Sequence, residues 1–442
     1  MSSEWPTFLL SDLITVKHGF AFKGEFFTDE ATEYQLTTPG NFAINGGFQI
    51  GKGKYYTGPI PEDYILRKGD LIVTMTDLSK AADTLGYAAV IPDTKGTTWL
   101  HNQRVGLVQI KSHSKVLPEF LHFLMRSDNY RHWVVASASG STVKHTSPGR
   151  ICEFQFNLPS VSEQAQIGSI LTALDDRIAL LSETNTTLEA IAQALFKSWF
   201  VDFDPVRAKQ EGREPEGMDA DTAALFPDSF EESELGLVPK GWNQVPFTDT
   251  VHVIGGGTPK TSMPEYWNGD IPWFSVVDAP TITDVFVIDT QKHITELGLS
   301  SSSTKLLAKG TTIISARGTV GRLALVGRQI AMNQSCYGLR GKADDAYFTY
   351  FSTYRLVESL KQRSHGSVFD TITTETMNGV FVIYPDKAVI KAFETLLQPV
   401  MDRMQNNLEK IQTLATLRDT LLPRLISGQL LLPDAEALVG EV

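Results

Sequence analysis

The residues nearest to a known chemistry are Gly-Gly-Gly-Thr-Pro-Lys-Thr-Ser at 255–262. A glycine-rich loop ending in lysine and a hydroxyl cradles phosphate through its backbone N–H groups. Here Pro259 stands where the glycine before the lysine belongs. Proline has no N–H to offer and a fixed φ, so a turn between strand and loop is the favoured reading. Pro92-Asp93-Thr94-Lys95 carries a fragment of a nuclease pattern, but no second acid-x-lysine follows at useful spacing. No Asn-Pro-Pro-aromatic or Asp-Pro-Pro-aromatic tetrapeptide, the mark of an amino-methyltransferase pocket, occurs. The nine histidines are scattered without ligand spacing, and Cys152 and Cys336 match neither a metal nor a disulfide pattern. Catalysis and metal binding find no support in these residues.

Binding of a polyanion finds more. Residues 297–343 hold Lys305, Lys309, Arg317, Arg322, Arg328, Arg340 and Lys342 and no acid. Residues 94–118 (Lys95, Arg104, Lys111, Lys115) and 129–152 (Arg131, Lys144, Arg150) are likewise free of acids. Such runs neutralise phosphates, and the amides and hydroxyls among them can read base edges. The candidates for DNA contact are Asn102, Gln103, Arg104, Ser139, Ser141, Lys144 and His145 in the first half. Thr258, Lys260, Arg317, Arg322, Asn333, Gln334, His365 and Ser367 are their counterparts in the second. The competing reading is a solvated strand face with ordinary ion pairing. Trp5, Trp99, Trp242, Trp267 and Trp273 read as core or turn packing.

The elements that carry these residues occur twice. An opening strand ending near Val16 leads to the loop Lys17–Lys23; Leu71–Thr74 and Gly86–Ile91 read as strands, and Leu117–Trp133 as an amphipathic helix. Val245–Ile254, the 255–261 loop, Thr312–Ile314, Gly321–Val326 and a helix over Ala346–Leu360 repeat the order. Asn102-Gln103 matches Asn333-Gln334. From Gly140 onward the halves run in step at a constant offset of 226 residues; before it the offset drifts from 241 to 231. Repeats of this kind imply a fixed helical spacer and two diverged heads.

The spacer begins between Pro159 and Pro205. Ile167, Leu174, Leu181, Leu188 and Leu195 recur every seventh residue, with Ile170, Leu171, Ile178, Ile191 and Trp199 three or four positions away. That is a coiled-coil seam. Its repeat carries Phe393, Val400, Asn407, Leu414 and Leu421. Some 40 helical residues run for ~60 Å and need a partner, so the two helices are expected to pair antiparallel, with Asn185 and Asn407 fixing register. The expected order is a first head (1–158), first helix (159–203), acidic linker (204–240), second head (241–385), second helix (386–428) and tail (429–442). This is an α+β chain in which two α/β heads are separated by two long antiparallel coiled-coil helices, with a pseudo-two-fold repeat.

The net charge of −12, taken as a whole, opposes a DNA partner. It is carried by residues 201–240 at −7, 151–200 at −4 and 431–442 at −3, which leaves both heads near neutral. No apolar run reaches 18 residues and no signal pattern opens the chain, so a cytoplasmic, reducing location is expected.

LPSVSEQAQIGSILTALDDRI, ALFKSWFVDFDPVRAKQEGREPEG, the stretch opening the second head at Gly241-Trp242 and TLRDTLLPRLISGQL together resemble the specificity subunit of type I restriction-modification systems. The resemblance spans essentially the whole chain. It implies two target-recognition domains, each reading one half of a split DNA site, with the helix pair as ruler for the spacer. It implies a non-catalytic chain that binds double-stranded DNA and two methyltransferase subunits and reaches restriction subunits through the complex. It holds no cofactor itself; S-adenosylmethionine, and ATP with Mg, are expected on the partners. The second helix has Pro423-Arg424-Leu425-Ile426 where the first has Lys197-Ser198-Trp199-Phe200, so the two docking surfaces need not be equivalent. The alternatives are a helical scaffold that assembles partner enzymes without reading bases, and a self-contained DNA-modifying enzyme.

Overall fold

The computed structural model describes residues 5–51, 53–79, 81–280, 284–363 and 371–440. In the first head β1 (Ile14–His18), β2 (Leu71–Thr74), β3 (Ala88–Val90) and β4 (Val105–Ile110) form an antiparallel sheet in the order β1-β4-β2-β3. Strand β2 reads Leu-Ile-Val-Thr and is buried along its whole length, as a central strand covered on both faces must be. α1 (Pro118–Leu124) and α2 (Asp128–Ala136) follow, then the long helix α3 (Val161–Phe200). One helix over 117–133 was expected; the chain breaks between the two, where Ser127 is extended and its hydroxyl donates to Leu124 O.

The second head repeats the plan. β5 (Val251–Gly255), β6 (Phe286–Val287), β7 (Thr312–Ser315), β8 (Leu323–Val326) and β9 (Cys336–Gly341) pair in the order β5-β9-β7-β8-β6. β6 is an added edge strand running parallel to β8. α4 (Ala346–Arg363) and the second long helix α5 (Lys387–Ile426) complete it. Each head is closed at its base by a two-stranded antiparallel pair, Thr7–Leu9 with Gln155–Asn157 and Asn243–Pro246 with Phe381–Tyr384.

The compact units cut across this repeat. One holds residues up to Arg177 together with those from Thr413 onward; the other is Ile178–Gln412. Each unit therefore owns one head and half of each long helix. In the second unit Asn407 Nδ2 donates to Asn185 Oδ1 (2.9 Å) and Asn185 Nδ2 to Met404 O (3.1 Å), both side chains 1 % exposed. Phe196 and Phe200, further along α3, meet Phe393, which is earlier in α5. The helices in this unit are antiparallel. In the first unit an ion pair, Arg418 Nη1 to Asp175 Oδ1 at 2.7 Å, joins the two helices beside the apolar seam.

Ile167, Leu174, Leu181, Phe393, Leu414 and Leu421 are buried, and Leu188, Leu195 and Val400 half-buried. Ile191 is 46 % exposed, and Ala192 takes the seam instead. The 3.5-residue period places position 192, four residues after Leu188 and seven after Asn185, on the buried face.

The linker is not a bare exposed connection. It forms two short helices, Asp204–Gln210 and Ala220–Ala224, and a hairpin, Phe230–Ser233 with Gly236–Pro239. Phe203, Val206, Phe226 and Trp242 enter a core shared with Trp199, Phe200, Phe348 and Phe393. The acids face solvent while these side chains anchor the segment.

Each head is tied to its helices through a helix start. Gln164 Oε1 accepts Leu117 N (2.9 Å) in the first unit, and Glu394 Oε1 accepts Phe348 N (2.7 Å) in the second. Burial pushes the Glu394 carboxyl up to about 7, against the lowering effect of the Phe348 and Tyr347 N–H groups. A carboxyl raised on folding binds its proton more tightly in the folded state. Its stabilising contribution is complete below the unfolded value near 4.5 and is lost as pH rises towards 7. Glu394→Gln should remove about 1–3 kcal/mol of pH dependence between pH 4.5 and 7. Thermal midpoints of both proteins across that range test this.

Candidate nucleic-acid interface

In the first head the loop after β1 lies directly on the turn before β4. A Cβ at Gly19 would stand 2.0 Å from Asn102 O, so only glycine fits. Phe20 N donates to His101 O (2.8 Å) and Gln103 N to Phe20 O (3.0 Å). The second head repeats the crossing: a Cβ at Gly256 would stand 1.9 Å from Asn333 O, and Gly257 N donates to Met332 O (3.0 Å). The phosphate-loop-like glycines thus serve a backbone crossing.

A third loop joins at the end of the central strand. Met75 N donates to Arg104 O (3.0 Å), and Met75 O accepts Thr146 N (3.0 Å). The corresponding bonds in the second head are Ala316 N to Ser335 O (2.7 Å) and Ile372 N to Ala316 O (2.9 Å). One residue past β2 or β7 therefore gathers the Asn-Gln turn and the segment following the head's helices.

Most of the first-head candidates converge on this junction. Asn102 is half-buried and its Oδ1 accepts Gln103 N (2.8 Å), which commits that oxygen to shaping the turn; Gln103 and Arg104 are exposed. Ser139 and His145 exchange both backbone bonds around the exposed Ser141. Lys144 and His145 pair with Asp77 and Thr76, and His145 Nδ1 lies 3.1 Å from the Thr76 hydroxyl.

In the second head the Thr258 hydroxyl donates to Gln334 Oε1, Lys260 is exposed, and Asn333 Oδ1 accepts Ser335 N (3.0 Å). Arg317 is exposed and bridges Thr371 through its backbone. Arg322 does not reach out: its Nη2 donates to Pro280 O (2.7 Å), so the guanidinium clamps a loop of its own head. His365 and Ser367 lie outside the described residues.

The acid-free runs are neutralised in part by acids that flank them and by Asp289 from an earlier loop. Arg328 pairs with Asp289 (2.9 Å) and Arg340 with Asp344 (3.5 Å). Arg131 donates to Ala82 O (2.7 Å), and Arg150 pairs with Glu153 (3.0 Å). Arg104, Lys144, Lys305, Lys309 and Arg317 make no ion pair with a described residue. Of Arg317, Arg322 and Arg328, only Arg317 can be neutralised without cutting an interaction of the fold seen here.

Sequence reasoning missed Asp77. Burial raises its carboxyl, but hydrogen bonds from Ser79 and Thr84 outweigh that and hold it below the usual carboxylate range. Its signal was faint: an acid two residues before a serine, in a loop six residues longer than its repeat. A cleft of about 770 Å³ lies elsewhere in the first unit, between Ser127–Asn129, Gln155–Asn157 and the end of α5, with Asp128 its single ionisable side chain. Among the described residues no group of His, Cys, Asp and Glu is placed to hold a metal ion.

The family described as "Type I restriction modification DNA specificity domain" matches residues 2–190 and 239–415, one match for each head with its helix. The chain belongs to this family. It is 29% identical over 359 residues to the type I restriction enzyme HindI specificity subunit of Haemophilus influenzae, covering 71% of this chain and 78% of that one. It is 25% identical over 371 residues to the MjaIX specificity subunit of Methanocaldococcus jannaschii, covering 83% and 78%. A crystal structure of the type I restriction-modification S subunit from M. genitalium shares the fold, with a TM-score of 0.56 at 14% identity over 96% of both chains. The chain is thus a specificity component, and its part in a type I system is DNA sequence specificity rather than catalysis. No described helix is long and apolar enough to cross a membrane.

Proposed function

We propose that each head reads one half of an asymmetric, bipartite site in double-stranded DNA, while the helix pair sets the unread spacer and docks two adenine methyltransferase subunits. S-adenosylmethionine sits on those subunits, and ATP with Mg on the restriction subunits that join the complex. One observation carries this reading. The same three-loop junction is built twice, on heads whose loops differ in length and whose cations differ in identity: the exposed Arg104 and half-buried Lys144 in one, the exposed Arg317 and Lys260 in the other. A duplicated frame with divergent tips suits two readers of different base sequences. Cations in these loops neutralise phosphates, so affinity should fall steeply with salt. The experiment is an exchange of residues 1–150 for the head of another family member, followed by mapping of methylated adenines with the methyltransferase partner. One half-site should change and the other persist; if both change together, the two-reader assignment is wrong.

A further inference from the structure

The first head's loop between Met75 and Gly86 is six residues longer than its counterpart between Ala316 and Gly321. Both loops close identically, Gly86 N on Thr74 O and Gly321 N on Ser315 O at 2.9 Å, with φ of +80° and +79°. The extra length is held from within. Asp77 is 3 % exposed, and its carboxylate accepts Ser79 N (2.6 Å), Thr84 N (2.5 Å), Thr84 Oγ1 (2.8 Å) and Leu85 N (3.0 Å). Arg131 donates to Ala82 O while its guanidinium lies 4.0 Å from the centre of the Tyr87 ring. Ala82 and Leu85 are tucked under the loop at 2 % and 0 % exposure. Leu78, next to the anchored Asp77, is left 61 % exposed.

A loop that buries one of its two alanines, Ala82, and its second leucine, yet presents this leucine beside an anchored aspartate, displays an apolar contact. It does so beside Lys144, which pairs across from Asp77, and close to the Arg104 turn. If this junction faces DNA as proposed above, an exposed leucine here can meet an apolar group on a base edge. In the major groove the apolar group on a base edge is the C5-methyl of thymine.

We propose that Leu78 reads the C5-methyl group of a thymine in the half-site of the first head. The inference rests on the two-reader assignment above. The test uses the chain assembled with its methyltransferase partner on duplexes of the mapped site, each thymine of the first half-site replaced in turn by uracil, which lacks only that methyl. Wild-type protein should lose about 10-fold in affinity at one position, as for a missing methylene in an apolar contact. Leu78→Ala should bind the thymine duplex about 10-fold more weakly and be indifferent to uracil there, with the second half-site read as before. A half-site without thymine, uracil tolerated at every position by the wild type, or an unchanged uracil penalty in Leu78→Ala would each overturn the role of Leu78 and leave the two-reader assignment standing. If exchanging residues 1–150 leaves that half-site unchanged, the two-reader assignment falls and this inference with it. Leu78 is exposed, so an unaltered melting curve is expected to accompany the variant.

Discussion

Replacing Asp175 by alanine should lower the thermal midpoint of the first unit by roughly 6–12 °C, from a loss of about 3 kcal/mol. Asp175 lies between two guanidinium groups, Arg126 Nη1 at 2.5 Å and Arg418 Nη1 at 2.7 Å, whose side chains are 2 % and 13 % exposed. It thus joins the head, through Arg126 just after α1, to α3 and α5. Arg126 is further committed: its Nε donates to Asn45 O (2.8 Å), and its Nη1 lies 3.0 Å from His122 Nε2. Removing the carboxylate leaves the buried Arg126 without a carboxylate partner and facing Arg418, which keeps Asp419 at 2.8 Å, and stranding a buried cation costs far more than a surface pair is worth. Arg418→Met should cost less, because Arg126 keeps its partner and the methionine refills the seam.

Acid should have a related effect on the wild type. Burial raises the Asp175 carboxyl, but the two arginines outweigh that and hold it below the ordinary carboxylate range. Its contribution is therefore complete above the unfolded value near ~3.9 and lost as pH falls through the lower folded value. Burial first, and Arg126 second, depress His122 to about 3, so its neutral ring can accept from Arg126 until the pH falls to about that value. Calorimetric scans of both proteins between pH 7 and 3 decide the matter. A midpoint for Asp175→Ala within a degree or two of wild type at pH 7 would show that the triad adds no net stability.

Why the sequence showed some of this and hid the rest is a matter of range. The helix pair was legible because a seam repeats: period and partner follow from apolar residues at fixed spacing, and the 226-residue offset matched the two halves. Register was nearly legible, since Asn185 and Asn407 were visible as interruptions, and the structure adds that they bond to each other. Ile191 misled because hydrophobicity alone cannot say which of two adjacent positions the 3.5-residue period selects. The Arg126–Asp175–Arg418 triad had no local signature, for its members come from three elements. The linker's aromatic anchors were hidden by the acids around them. In the heads the strands and the two Asn-Gln turns were visible, but no spacing in the chain reveals that they meet at Met75 and Ala316. Arg322 shows the limit for single residues: an unpaired arginine in sequence becomes a carbonyl clamp once Pro280 is beside it.

A matched deletion of Asp176–Ser182 from α3 and Lys410–Thr416 from α5 should shorten the DNA spacer by about three base pairs. Seven helical residues span ~10 Å, against ~3.4 Å per base pair. Whole heptads keep the apolar seam in phase, and these segments leave Asp175 facing Arg418 and Asn185 facing Asn407. Deletion from one helix alone lets only one of the two pairs keep its register and offsets the other by two helical turns, so that variant should be destabilised as in Asp175→Ala rather than retargeted. Three base pairs also turn the duplex by roughly 100°, given ~10.5 base pairs per turn. The shortened protein must twist its DNA or its heads, and should methylate the new site more slowly while keeping both half-site sequences. Mapping methylated adenines with the partner subunits gives both half-sites and the gap in one experiment. Unaltered half-sites at the wild-type spacing would mean that the paired helices do not measure DNA, and would leave them a docking role alone.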